Sequence, residues 1–296
     1  MTKLFSYKNR PPHLGPYPLE RLRRTETAPD LSSMPPQQQV TFTADDPVSV
    51  VNAMGEYQAM MDVIRDGTVK AEMATIPSDP QERANHLKAF GYYCDASMVG
   101  TTRITSDLWL KTPFSNPDVD RLSDTLRTKQ VKTLASGIDM IMAGLREAMA
   151  APPTTCDHHT NAIAFLYEYP RDPKPDEKGS DWIKDAQTHR AALRASETAS
   201  VLAAYIRSLG YDARAHSASA TDIDLARCSV AAGLAQNLDG VASNPILGTR
   251  FGLSVITTTL EIAPDQPLAA DQPPLYSYKF GTGKHAKSAR TRDPFA

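Results

Sequence analysis

Cysteine is scarce in this chain. Only Cys94, Cys156 and Cys228 occur among 296 residues, each more than 60 positions from the next. That spacing excludes a disulfide-stapled scaffold and leaves too few thiols for even one four-cysteine iron–sulfur cluster. An odd, sparse set of thiols fits a reducing compartment. Long apolar runs are also missing, and none reaches the ~18 residues a membrane span needs. The opening residues 1–7 lack the apolar core of a secretion signal, and Arg23-Arg24 runs into Thr-Glu-Thr rather than an export motif. Neither sign of charge dominates: 32 Lys and Arg stand against 34 Asp and Glu, a net charge of −2 that gives no basis for nucleic-acid binding. The expectation is a cytoplasmic protein with neither a membrane nor a nucleic acid as partner.

Familiar catalytic signatures are absent as well. There is no Gly-x-Ser-x-Gly elbow for a serine hydrolase and no Asp-x-His-x-x-Gly cobalamin ligand. Gly281-Thr282-Gly283-Lys284 is the nearest string to a phosphate loop, and no strand–loop–helix pattern surrounds it. Asp157-His158-His159 suggests a metal site at first sight. On an extended chain, however, neighbouring side chains point to opposite faces, so an exposed loop is the plainer reading and no metal ligand is assigned. His189, His216 and His285 are scattered and read as surface or core histidines.

What the chain does contain is enough apolar residue, 41%, to build a large core, together with 23 prolines concentrated near the two ends and around residues 152–175. Residues 1–47 hold too many prolines for helix or central strand and read as an extended arm lying over a surface. Pro47 opens a helix capped by Asp45 or Asp46, with Val50, Met54, Tyr57, Met61 and Ile64 on one face and an end near Gly67. A second helix begins at Asp79-Pro80 and stops at Gly91; a strand follows to Ile104, with a turn from Thr105. Residues 123–150 read as an apolar helix, and residues 161–169 as a buried central strand. A long helix of small residues spans 191–209, stops at Gly210, and leads into a strand over 211–216. Residues 221–238 read as one further helix, and 253–263 as an alternating strand with Ile256, Leu260 and Ile262 on one face. Irregular alternation of strands and helices favours α+β over a doubly wound sheet.

The order of these pieces resembles the corrinoid-binding region of reductive dehalogenases. Three segments carry the likeness: Leu87–Gly91 with Ser97–Ile104; Ser200–Ala213; and the stretch from Ala231 to Pro267, which closes on Asp265-Gln266-Pro267-Leu268. Pro16-Tyr17-Pro18-Leu19-Glu20 resembles the non-exported, catabolic branch, in which a degenerate copy of the corrinoid domain precedes the catalytic one. The resemblance implies a nitroreductase-like three-layer α+β domain with a central mixed sheet over 48–268, the extended arm before it (1–47), and a basic connector over 269–296. It implies cobalamin and 4Fe-4S clusters for a whole enzyme that removes halide from an aromatic substrate, with neither held by this chain. The implied partner is a C-terminal catalytic corrinoid and iron–sulfur domain or subunit, and a homodimer is left open. The family's catalytic tyrosine has no match, since Thr105–Lys111 offers Trp109 and Lys111 instead, so no catalytic residue is assigned. The family's second glycine-rich region is reduced here to residues 235–244, which retain Gly240 alone. Arg250 matches the family's Gly-Pro-Arg arginine. The candidates for any residual cofactor contact are Arg103, Trp109, Lys111 and Arg250. Two other readings stay open: a self-contained corrinoid- or flavin-binding protein of the same fold, with an open pocket lined by Ala203, Gly233 and Arg250, or a partner subunit for a separate catalytic chain.

Overall fold

The computed structural model describes residues 10–119, 121 and 154–275. The expected helix over 123–150, most of the basic connector and the first nine residues lie outside them. The elements in chain order are α1 (Val50–Val63), α2 (Pro80–Tyr93), β1 (Met98–Arg103), β2 (Trp109–Phe114), β3 (Asn161–Glu168), α3 (Ser180–Ile183), α4 (Gln187–Ser208), β4 (Ala213–His216), β5 (Thr221–Ile223), α5 (Leu225–Ala231), β6 (Gln236–Leu238), β7 (Val241–Ser243) and β8 (Phe251–Thr258).

A four-stranded sheet in the order β1-β3-β8-β4 lies at the centre. Its three pairings are all antiparallel, which corrects the expectation of a mixed sheet. β3 is interior because it is apolar on both faces. Ala162, Ala164 and Leu166 enter one core with Met98, Val255 and Leu225, whereas Ile163, Phe165 and Tyr167 enter the other with Val99, Ile256 and Leu202. The second core lies under α2 and α4, and the first is closed by α5 and by the arm residues Leu19, Leu22, Leu31 and Met34. The result is α+β, a sheet between a helical layer and a layer of short helix and arm.

The small residues of α4 have a structural use. Ala191, Ala195, Ala199 and Ala203 recur every fourth position and form a buried stripe facing the sheet. Without bulky side chains the helix comes close enough for Ser254 Oγ on β8 to donate to the Ala195 carbonyl at 2.7 Å. Gly210, at φ 93°, ends the segment as expected.

Several boundaries differ from the sequence reading. Asp46 caps a preceding turn, and α1 starts one turn later with Ser49 as its cap. Gly91 does not stop α2 but lies inside it, packed against Val99 and Phe165. The turn after Ile104 leads into β2, which pairs with β5. The expected helix over 221–238 is β5, the seven-residue α5 and β6, because Asp224 accepts from the Arg227 amide and starts the helix only there. Among the described residues no helix is long and apolar enough to cross a membrane.

Candidate functional site

The turn after α5 is the first place to look for a ligand, because Gly233 there is expected to line an open cofactor pocket with Ala203 and Arg250. Gly233 takes φ 64°, a left-handed conformation suited to glycine. The space beside it is filled: a Cβ built there would collide with the Arg24 guanidinium and the Gln266 carbonyl. Arg24 Nη1 donates to the Gly233 carbonyl at 2.6 Å and to Gln266 O at 3.0 Å, and Nη2 donates to Leu19 O at 3.2 Å. Burial lowers the pKa of this guanidinium, and Asp265 partly offsets that effect. Further along, Asn237 Nδ2 donates to Asp30 O and Ser33 Oγ at 2.9 and 2.7 Å, and Arg227 Nη2 donates to Met34 O at 2.9 Å. Leu225 N donates to Gln37 Oε1 at 2.6 Å. The arm is pinned beside this face by an antiparallel bridge between Arg24 and Leu268, with Thr25 N donating to Pro267 O at 3.0 Å and Ala269 N to Arg23 O at 2.9 Å.

These contacts do not fit a corrinoid tail at the glycine turn, where the chain's own arm supplies the packing. The three residues expected to line an open pocket are also separated. Ala203 is fully buried in the core beneath α4, Gly233 abuts Arg24 beside the other core, and Arg250 is an exposed side chain at a strand end. Iron–sulfur ligation fits no better. Cys228 is enclosed in the apolar core, Cys156 Sγ accepts from Arg214 Nη1 at 3.3 Å, and Cys94 follows the end of α2. Burial raises the pKa of all three thiols, Cys156 to about 11, so they are protonated at neutral pH.

Arg103, Trp109, Lys111 and Arg250 do not form one site. Arg103 ends β1 opposite Asn161, whereas Arg250 precedes Phe251, which is opposite Glu168 at the other end of β3. At about 3.3 Å per residue, the length of β3 puts these ends roughly 23 Å apart. Arg103 and Lys111 are exposed, and Trp109 is half-buried at the start of β2 against the first core. The Arg250 guanidinium lies 5.4 Å from the Tyr169 ring centre and 2.6 Å from Asp172 Oδ2, so a neighbouring loop already engages it.

The arm also roofs a cavity of about 780 Å³ at the Glu168 end of β3, walled by Arg10, Tyr17, Tyr92, Tyr169 and Arg194 among others. Tyr17 donates to Glu168 Oε2 at 2.9 Å, and burial followed by the Glu168 charge raises the phenol's pKa. Arg10 braces the roof by pairing with Glu20 at 2.7 Å and donating to the Gly15 and Leu14 carbonyls at 3.2 and 3.1 Å.

At the opposite end of the sheet a buried polar network was missed by the sequence reading. Asp222 N donates to His216 Nδ1 at 3.2 Å, which places the His216 proton on Nε2, 2.9 Å from Thr257 Oγ1. The Thr257 hydroxyl is in turn 2.7 Å from His159 Nδ1. His158 and His159 both approach Asp212, because residues 156–159 form a turn, with His159 N donating to Cys156 O at 3.0 Å, and not the extended chain that would separate them. Burial lowers the pKa of both His159 and His216. Beside them Cys156, His216 and Asp222 come together around Arg214, which donates to Cys156 Sγ at 3.3 Å and Asp222 Oδ2 at 3.2 Å. Burial opposes the Arg214 charge, but the Asp66 carboxylate at 2.7 Å and Asp222, together with the rest of its surroundings, raise the pKa. Arg214 therefore already brings a permanent cation to two of those three residues, Cys156 and Asp222.

An α+β sandwich whose glycine face is closed by its own N-terminal arm is the class of protein these features define. The solved structures it is similar to include reductive dehalogenases. The structure matches the catabolic reductive dehalogenase NpRdhA with a TM-score of 0.68 and 32% identity, over 92% of this chain and 32% of that one. It matches the same enzyme in complex with 3-bromo-4-hydroxybenzoic acid with a TM-score of 0.65 and 32% identity, over 91% of this chain and 32% of that one. A third structure, described as suggesting a mechanism for B12-dependent dehalogenation, gives a TM-score of 0.67 and 32% identity, over 91% and 32%. The chain thus spans about a third of the length of the dehalogenases it matches. No protein-family model and no curated protein sequence matches it.

Proposed function

We propose that this chain is the N-terminal, non-catalytic portion of a reductive dehalogenase, a degenerate corrinoid-type domain whose cofactor face has been given over to internal packing. The observation that carries this reading is Arg24, bonded to the carbonyls of Gly233, Gln266 and Leu19. A backbone turn that would have to stay open for a cofactor tail is instead a docking point for the arm. In the whole enzyme a cobalt corrinoid and iron–sulfur clusters held elsewhere would remove halide from an aromatic substrate. This domain would serve by covering the catalytic unit and excluding water from its reduced metal centre. The chain would act in the cytoplasm, beside a catalytic domain or a separately made catalytic subunit.

The test is to incubate the purified chain with hydroxocobalamin, desalt it and record the visible spectrum. Colourless protein is expected, and a stoichiometric pink adduct would refute the proposal. The flavin-binding alternative draws on the cavity of about 780 Å³ with its tyrosine walls, a volume in the usual ligand range. Quenching of FMN fluorescence by the chain, abolished by Tyr169→Ala, would favour that alternative; unchanged fluorescence supports the scaffold reading.

A further inference from the structure

We propose that His158, His159 and Asp212 form a binding site for a divalent transition metal ion of the zinc or cobalt type. The turn before β3 and the residue before β4 bring together one ring nitrogen each of His158 and His159 and an Asp212 carboxylate oxygen, all within 4.8 Å of one another. Asp212 Oδ2 is 2.9 Å from His158 Nε2 and 3.3 Å from His159 Nε2. Tetrahedral ligands about 2.0–2.1 Å from zinc stand roughly 3.3 Å apart, close to the two imidazole–carboxylate spacings.

Independent support comes from His159. Its side chain is 1% exposed, and Nε2, 3.3 Å from Asp212 Oδ2, makes no well-formed hydrogen bond. An unmet polar atom in the interior is costly, and a metal ion at the centre of the triad would satisfy it.

The surrounding groups hold the site in shape. His159 Nδ1 is 2.7 Å from Thr257 Oγ1, the outer contact expected behind a ligating imidazole. With metal on Nε2, the His159 proton sits on Nδ1, and the two lone pairs of the Thr257 hydroxyl accept from His159 and His216 together. Asp212 is fixed to the end of β8, its carbonyl accepting from Thr258 Oγ1 at 2.6 Å and Thr259 N at 3.0 Å. The exposed side of the triad, formed by His158 at 51% and Asp212 at 36% side-chain exposure, leaves room for water or another ligand. Two imidazoles and a carboxylate favour zinc, cobalt or nickel over calcium or magnesium, which take oxygen ligands.

The experiment is a competition titration of the full chain with Zn²⁺ against a chromophoric chelator, followed by the visible spectrum of the Co²⁺ form. One equivalent of Zn²⁺ is expected. The Co²⁺ spectrum should show d–d bands without the near-ultraviolet thiolate charge-transfer band. His158→Ala, at an exposed position tolerant of change, and Asp212→Asn should each weaken binding at least tenfold. Cys156→Ser should bind as the parent does. Failure to bind one equivalent, parental affinity in His158→Ala, or loss of binding in Cys156→Ser would overturn the assignment.

Discussion

Replacing Arg24 by alanine probes the closed face directly. The guanidinium satisfies three carbonyls, at 2.6, 3.0 and 3.2 Å, that belong to the end of α5, the segment after β8 and the arm itself. Hydrogen bonds from a charged donor contribute about 1.5–3 kcal/mol each. Arg24 is only half-buried, so water can re-solvate part of what is lost, and about 1 kcal/mol per bond is the working figure. The expected loss is about 3 kcal/mol. With a urea dependence near 3 kcal/mol per molar, it would lower the unfolding midpoint by about 1 M. Arg24→Lys should recover only part of the loss, because a single ammonium cannot span three divergent carbonyls. Limited trypsin digestion gives a second readout, since releasing the arm should speed cleavage after Arg21 and Arg23. A midpoint shift below about 0.3 M with unchanged digestion would refute the view that this arginine pins the arm across the turn.

Three other outcomes follow from buried groups. Asp62 accepts from Ser219, Ser217, Asn116 and Gln58 at 2.6, 2.7, 2.8 and 2.9 Å, so Asp62→Ala strands four buried donors. It should cost about 3 kcal/mol and lower the melting temperature by roughly 6–12 °C in calorimetry. Gly252→Ala would put a Cβ 2.5 Å from the Ala191 carbonyl carbon and 2.6 Å from Ala192 N, helix backbone that cannot turn aside, and should cost about 3 kcal/mol by urea unfolding. His159 and His216 have folded pKa values held below 6.5 by burial, so the unfolded chain takes up protons first as pH falls. Stability should therefore be full above about pH 7 and decline below about 6.5, by up to about 1.4 kcal/mol per pH unit for each histidine. His216→Gln should flatten that slope in denaturation curves taken between pH 7 and 5.

The elements legible in the sequence are those with long, strong periodicity. β3 shows itself as an apolar run, α4 by its run of small residues and stop at Gly210, and β8 by alternation that divides Ile256 from Val255 between the two cores. The region from Thr221 to Leu238 misleads because three elements of three, seven and three residues are each too short to establish a period. Candidate ligands proved harder than elements. Arg250 keeps a family position, yet Asp172 and Tyr169 engage it. Arg24 carried no local signal, since its partner Gly233 is 209 positions away and only the fold joins them. The adjacent histidines were visible, but their convergence depends on a turn and on Asp212, 54 positions on from His158.

The long-range fastening of the arm also bears on how the chain is made. Leu19, Leu22, Leu31 and Met34 emerge from the ribosome early, yet their partners include Leu225, Ile246 and Leu268. The Arg24–Gln266 contact closes a loop of 242 positions. At about 5–20 residues per second, the wait between the two halves is on the order of ten seconds to a minute. Throughout that interval the apolar arm residues lack their partners, and a nascent chain halted before Leu225 should be nicked by trypsin at Arg24 and held by chaperones.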